Sequence, residues 1–141
     1  MISILRARSL RPINELLPLL NAEGLHATLL DPKSVSSPKQ IEAAYELAMR
    51  STKEGRAVSE RIEMEFLLWL GQSPHVGKAI LRVGAKKNDD MLLAVLDAKT
   101  GQAQKLAKDC GLEVSGPFEP PRLSQSEEKL LLEKMALSRL G

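Results

Sequence analysis

The sequence predicts a mixed α/β (α+β) fold: a single domain over 1–141 with a small sheet of about four strands, a central helical group and a C-terminal helix. Three observations lead there. An apolar run, a helical stripe and a second apolar run follow one another within about 30 residues, the length of a compact α/β unit. Three helix signals then succeed each other between Ser37 and Gly84. Beyond them the run MLLAVLD, 91 to 97, is too short and too bounded by turn formers to be a core helix, and reads as a buried strand. With 141 residues and 43% hydrophobic composition, the chain can build one real core but not comfortably two.

Each element has its own local reason. Met1 to Ala7 is rich in apolar and β-branched residues and reads as the first strand. Pro12 suits the first turn of a helix whose stripe is Ile13, Leu16, Leu17 and Leu20, with Pro18 expected to kink or shorten it and Asn21 and Gly24 to end it. Leu25 to Asp31 is the second strand. Ser37, Pro38 and Gln40 form a capping box for a helix with an inward stripe of Ile41, Ala44, Tyr45, Ala48 and Thr52, stopped at Gly55. Ser59 is expected to cap the next helix, which should end near Gly71, and Pro74 to start a third that runs to Val83 and closes at Gly84. After the strand at 91–97, Thr100 caps a helix with Ala103, Leu106, Ala107 and Cys110 inward and Gly111 as its stop. Leu112 to Phe118 is the last strand, and Pro120-Pro121 breaks regular structure. Ser124 with Glu127 then opens a terminal helix that should bury Leu130, Leu131, Met135, Ala136 and Leu140 on the domain or on a partner.

Composition excludes several classes of function. One cysteine rules out an intramolecular disulfide and a cysteine-based zinc site, and two histidines are too few for a protein metal cage; no cofactor is expected. Aromatic content of 3% leaves no platform of rings for stacking bases. The apolar runs are too short for a membrane span and the N-terminus lacks a signal-like apolar stretch, so no membrane partner and a cytoplasmic location are expected. A net charge of +2 does not mark a nucleic-acid binder by itself; the distribution of charge has to.

That distribution changes abruptly along residues 57–88. Ile62, Met64, Phe66, Leu67, Leu68, Trp69 and Leu70 leave almost no polar face, as in a helix buried on several sides. From Phe66 to Asn88 the chain then carries Lys78, Arg82, Lys86 and Lys87 and no carboxylate. At helical spacing His75, Lys78, Arg82 and Lys86 fall on one side, and Val76, Ala79, Ile80 and Val83 on the other. The strip has two readings. One is a solvated helix face. The other is phosphate contact by Ser73, His75, Lys78, Arg82, Lys86 and Lys87; as the two ends would lie about 15 Å apart, only an extended polyanion would use both.

No nucleophile, base and orienting group occur together, and there is no G-x-S-x-G, P-loop or G-x-G-x-x-G, so a binding role is expected rather than catalysis. Asp89 and Asp90 read as turn residues. Glu65, beside a buried helix, must pair with a cation, cap something or reach solvent. Trp69 reads as core, or as an apolar anchor in a pocket.

The order AAYELAMRS (43–51), GRAVS, EMEFLLWLGQSPHVGKAILRVG (63–84) and LLAVLD (92–97) resembles the small non-catalytic tRNA-binding subunit of the KEOPS complex, the PRPK-binding-protein family. That family's signature is approximately E-x-L-L-x-L-S-G-T-R-Q-I-x-x-A-I-x-x-x-G, and Glu65, Leu67, Leu68, Leu70, Ala79, Ile80 and Gly84 stand at matching positions. Its Arg and Gln are replaced here by Pro74 and His75. The resemblance implies an accessory subunit in the synthesis of threonylcarbamoyl adenosine in tRNA. Such a subunit has two partners: the complex's kinase-like ATPase and tRNA, including its single-stranded 3′ end. The terminal helix and the helix at 12–20 are then the candidate ATPase face, through Leu16, Leu20, Leu130, Leu131 and Met135. The alternative is a protein-interaction or regulatory module without RNA binding.

Overall fold

The computed structural model of the chain describes residues 1–22, 24–118 and 123–138. In chain order the elements are β1 (Ile2–Arg8), α1 (Ile13–Asn21), β2 (His26–Leu30), α2 (Pro38–Lys53), α3 (Ile62–Leu70), α4 (Val76–Val83), β3 (Met91–Leu96), α5 (Thr100–Asp109), β4 (Glu113–Pro117) and α6 (Gln125–Leu137). The fold is mixed α+β, and the chain divides into two compact units. One holds Met1–Pro32 and Ala85–Phe118; the other holds Lys33–Gly84 and the chain after Phe118.

The first unit contains the whole sheet, in the order β2-β3-β1-β4 with every neighbouring pair antiparallel. β3 is central and buried along its full length, which explains why its sequence is apolar without alternation. Met91, Leu93 and Val95 join Leu5, Ala7, Ala27 and Leu29 in a core completed by Leu16 and Leu20 of α1 and Ala103, Leu106 and Ala107 of α5. β1 alternates as a strand with one buried side should: Ser3, Leu5 and Ala7 are buried while Arg6 and Arg8 are exposed. Those two arginines form forked ion pairs on the sheet surface, Arg6 with Asp90 at 2.9 and 3.0 Å and Arg8 with Glu113 at 3.1 and 2.9 Å. Asp90 is thus an ion-pair partner as well as a turn residue. Pro18 lies within α1 rather than ending it. Cys110 is buried in this core, as its helical register predicts.

The second unit is helical and is formed by the chain between β2 and β3 together with α6. At the start of α2 the Ser37 hydroxyl accepts from the Lys39 amide, and the Gln40 side chain reaches back to the Ser36 amide, one residue earlier than the capping box predicts. The inward stripe of α2 also shifts: Gln40, Ile41, Ala44, Ala48 and Ser51 are buried and Thr52 is exposed. Ser51 turns inward because it has a buried carboxylate to bond, Glu65 of α3, at 2.5 Å. Gly55 does stop the helix, in the left-handed region with φ 72°. Ser59 does not cap α3, whose N-cap is Arg61; the Ser59 hydroxyl instead accepts from the Arg61 amide. Thr100 is likewise the first residue of α5 rather than its cap, which is Lys99. Ser124 does cap α6, accepting from the Glu127 amide.

The expected inward side of α6 is corrected. Met135 is fully buried, Leu131 is half-buried, and Leu130 and Ala136 are exposed. A polar contact sets this rotation: Glu128 accepts from the Ser37 hydroxyl at 2.6 Å and pairs with Lys39, which places its carboxylate at the N-terminus of α2, where the helix dipole favours it. The expectations for Pro120-Pro121 and Leu140 lie outside the described residues.

Candidate functional site

In the helical unit α3 ends in a tight corner that sets the direction of α4. Gly71 is the C-cap, with its amide bonded to Leu67 O at 2.8 Å, and Gln72 takes the left-handed conformation with φ 53°. The chain then reverses, and the Ser73 amide bonds back to Leu68 O at 3.1 Å. The buried Ser73 hydroxyl accepts from the His75 amide at 3.1 Å, so it orders the entry into α4 and is not presented to solvent. Pro74 precedes the helix by two residues, and His75 is its N-cap.

The two helices approach closely at the corner. A Cβ added at Gly71 would stand 3.0 Å from Ala79 Cα, tighter than ordinary van der Waals contact, so the helices would have to part by a few tenths of an ångström to admit one. Ala79 and Val83 are the buried residues of α4. Val76 and Ile80, expected inward, are 38% and 46% exposed, and Leu81 is 74% exposed. The physical reason is the small Ala79 at the contact: it lets the helix axis ride near the end of α3 and leaves a narrow buried seam, with the larger side chains outside it. α4 therefore shows an apolar surface flanked by the exposed Lys78.

The cations predicted as one strip do not form one helix face. Arg82 folds back, and its Nη1 donates to Gly71 O at 2.9 Å and Gln72 O at 3.1 Å, satisfying carbonyls at the end of α3. Gly84 leaves the helical conformation at ψ 149°, and the Ala85 amide bonds to Leu29 O of β2 at 3.1 Å. Lys86 and Lys87 consequently belong to the sheet unit, where Lys86 pairs with Asp31 at 3.4 Å. Of the six residues proposed for phosphate contact, His75, Lys78 and Lys87 are exposed, Arg82 and Lys86 are engaged by groups of the protein itself, and Ser73 is buried.

The residues proposed for a partner also separate. Leu16 and Leu20 are fully buried in the sheet unit's core and Met135 is fully buried in the helical unit, so none of the three is at the surface. Leu130 is 53% exposed, and Leu137, seven residues on and on the same helix side, is 58% exposed. Helical spacing groups Leu130 with Leu131, Met135, Ala136 and Leu140 on one broad side, and only the fold turns Leu130 and Leu137 outward.

Glu65 resolves as a buried carboxylate. Oε2 accepts from Ser51 Oγ at 2.5 Å and Trp69 Nε1 at 3.2 Å, and Oε1 accepts from the amides of Val58 and Ser59 at 3.0 and 3.2 Å. It thereby ties α2, α3 and the loop before α3 together, and Trp69 is a core residue with its indole N–H satisfied. Among the described residues no group of three or more His, Cys, Asp or Glu side chains is placed to hold a metal ion. No described helix is long and apolar enough to cross a membrane.

The fold and these faces define a small α+β protein in which helices with apolar outer surfaces are set by a close helix approach and by polar contacts at helix ends. Residues 10–135 match the model of the family described as kinase binding protein CGI-121, and the chain belongs to that family. No curated protein matches the chain in sequence.

Proposed function

We propose that this protein is a non-catalytic accessory subunit that binds a kinase-like ATPase and tRNA, including the tRNA 3′ end, and supports formation of threonylcarbamoyl adenosine within a KEOPS-type complex. The observation that carries the reading is the family match over residues 10–135, whose description is of a kinase-binding protein. The matching signature from Glu65 to Gly84 supports the finer assignment.

The ATPase contact is assigned to the outer side of α6 with Leu130 and Leu137, the part of the sequence-derived partner face that is at the surface. Burying two such leucines against a partner contributes a few kcal/mol, enough to make them anchors. The RNA contact is assigned to α4, where Lys78 and His75 stand beside Val76, Ile80 and Leu81. A cation next to an apolar surface suits a single-stranded end, whose phosphates and unstacked bases need both.

The deciding experiment is co-purification with the kinase-like ATPase, followed by binding of tRNA with and without its 3′ terminal nucleotides. Retention of intact tRNA and loss of the trimmed form is the expected result. A stable ATPase complex that retains neither would instead support a protein-interaction module without RNA binding. That second reading is favoured by one finding: Arg82 and Lys86 are turned to partners within the protein.

A further inference from the structure

Arg82 stands at helical spacing with Lys78 and His75, which suggests a third outward cation, but its geometry gives it another task. Its Nη1 spans two successive carbonyls, Gly71 O and Gln72 O, at the C-terminal end of α3. Carbonyls there have no helical partner and carry the negative end of the helix dipole, so a guanidinium is the group best suited to hold them. The same corner contains a non-glycine residue with positive φ, Gln72, and a glycine that a methyl group could not replace without meeting Ala79. Backbone of this kind persists only when its surroundings over-determine it.

We infer that Arg82 is a positioning residue: its guanidinium locks the corner between α3 and α4 and so fixes the orientation of Lys78 and of the apolar surface Val76, Ile80 and Leu81. Arg82 reaches from the last turn of α4 back to the end of α3, while the Ser73 hydroxyl holds the amide of His75, the N-cap of α4. Between them they fix α4 at both ends. Lysine is a poor substitute, because its ammonium ends short of the Nη1 position. The effect on RNA binding rests on the proposed function of α4; the lock itself does not.

The test compares Arg82→Gln, Arg82→Lys and Lys78→Gln in the intact protein. Amide hydrogen exchange is measured at Gln72, Ser73 and His75, and tRNA affinity is measured over a series of salt concentrations. The expected result is exchange faster by about tenfold or more in both Arg82 variants and unchanged in Lys78→Gln, with cooperative melting retained. For RNA, Lys78→Gln should lower the salt slope by about 1, while both Arg82 variants weaken binding with the slope nearly unchanged. Three outcomes overturn the inference: unchanged exchange in Arg82→Gln, recovery of wild-type affinity by Arg82→Lys together with a lowered slope in Arg82→Gln, or loss of cooperative folding in both Arg82 variants. If wild type binds no tRNA, the RNA reading fails and the exchange measurement alone decides the role of Arg82.

Discussion

Glu65 accepts four hydrogen bonds in the interior of the helical unit, from Ser51, Trp69, Val58 and Ser59. Replacing it with glutamine keeps its shape but sets an amide N–H₂ against donors. A loss of about 1–3 kcal/mol is expected, read as a lower urea midpoint with an unchanged slope. Trp69 is the chain's one tryptophan, so its fluorescence reports this site directly in the same titration. At the surface of the sheet unit the Arg8 fork and charge hold the Glu113 carboxyl below the usual carboxylate range. A lowered pKa in the folded state means that the pair stabilises above the unfolded value and that this contribution is lost as pH falls through the folded one. The stability difference between wild type and Glu113→Gln should therefore be small at about pH 7, as for any exposed pair, and should vanish at strongly acid pH. The sequence showed that Glu65 needed a partner and did not show which, because all four donors depend on how α2 and the loop before α3 fold against it.

At the scale of elements, the close approach of α3 and α4 depends on Gly71. Gly71→Ala should cost about 1–3 kcal/mol, since the added methyl meets Ala79 backbone rather than a flexible side chain. Thermal melting with Trp69 fluorescence measures it. α6 depends on a different device, Ser37 bridging the N-terminus of α2 to Glu128. Ser37→Ala removes a cap and that bridge together, and about 1–2 kcal/mol of destabilisation is expected, with faster amide exchange along α6. Helix positions and their order were legible in the sequence because caps, prolines and glycines act locally. The inward faces of α4 and α6 were not, because Ala79 against Gly71 and Glu128 against Ser37 override the apolar stripe.

For the whole molecule, the proposed function requires two separate surfaces. Leu130→Glu with Leu137→Glu should abolish co-purification with the kinase-like ATPase and leave melting within about 0.5 kcal/mol of wild type, as both side chains are exposed. Lys78→Glu should weaken tRNA binding and lower its salt dependence without affecting the ATPase complex. Loss of both partners in either variant would contradict the separation.

By itself the sequence determined the α+β class, the order of the elements, the buried central strand and, through the spacing from Glu65 to Gly84, the family. These follow from periodicity, turn chemistry and motif, which are written in neighbouring residues. Tertiary structure alone decided which candidate residues face outward. It buried Leu16, Leu20, Ser73 and Met135, turned Arg82 onto Gly71 and Gln72, and ended the helix before Lys86. A side chain's availability depends on contacts made by residues distant in the chain, and helical spacing carries no information about those.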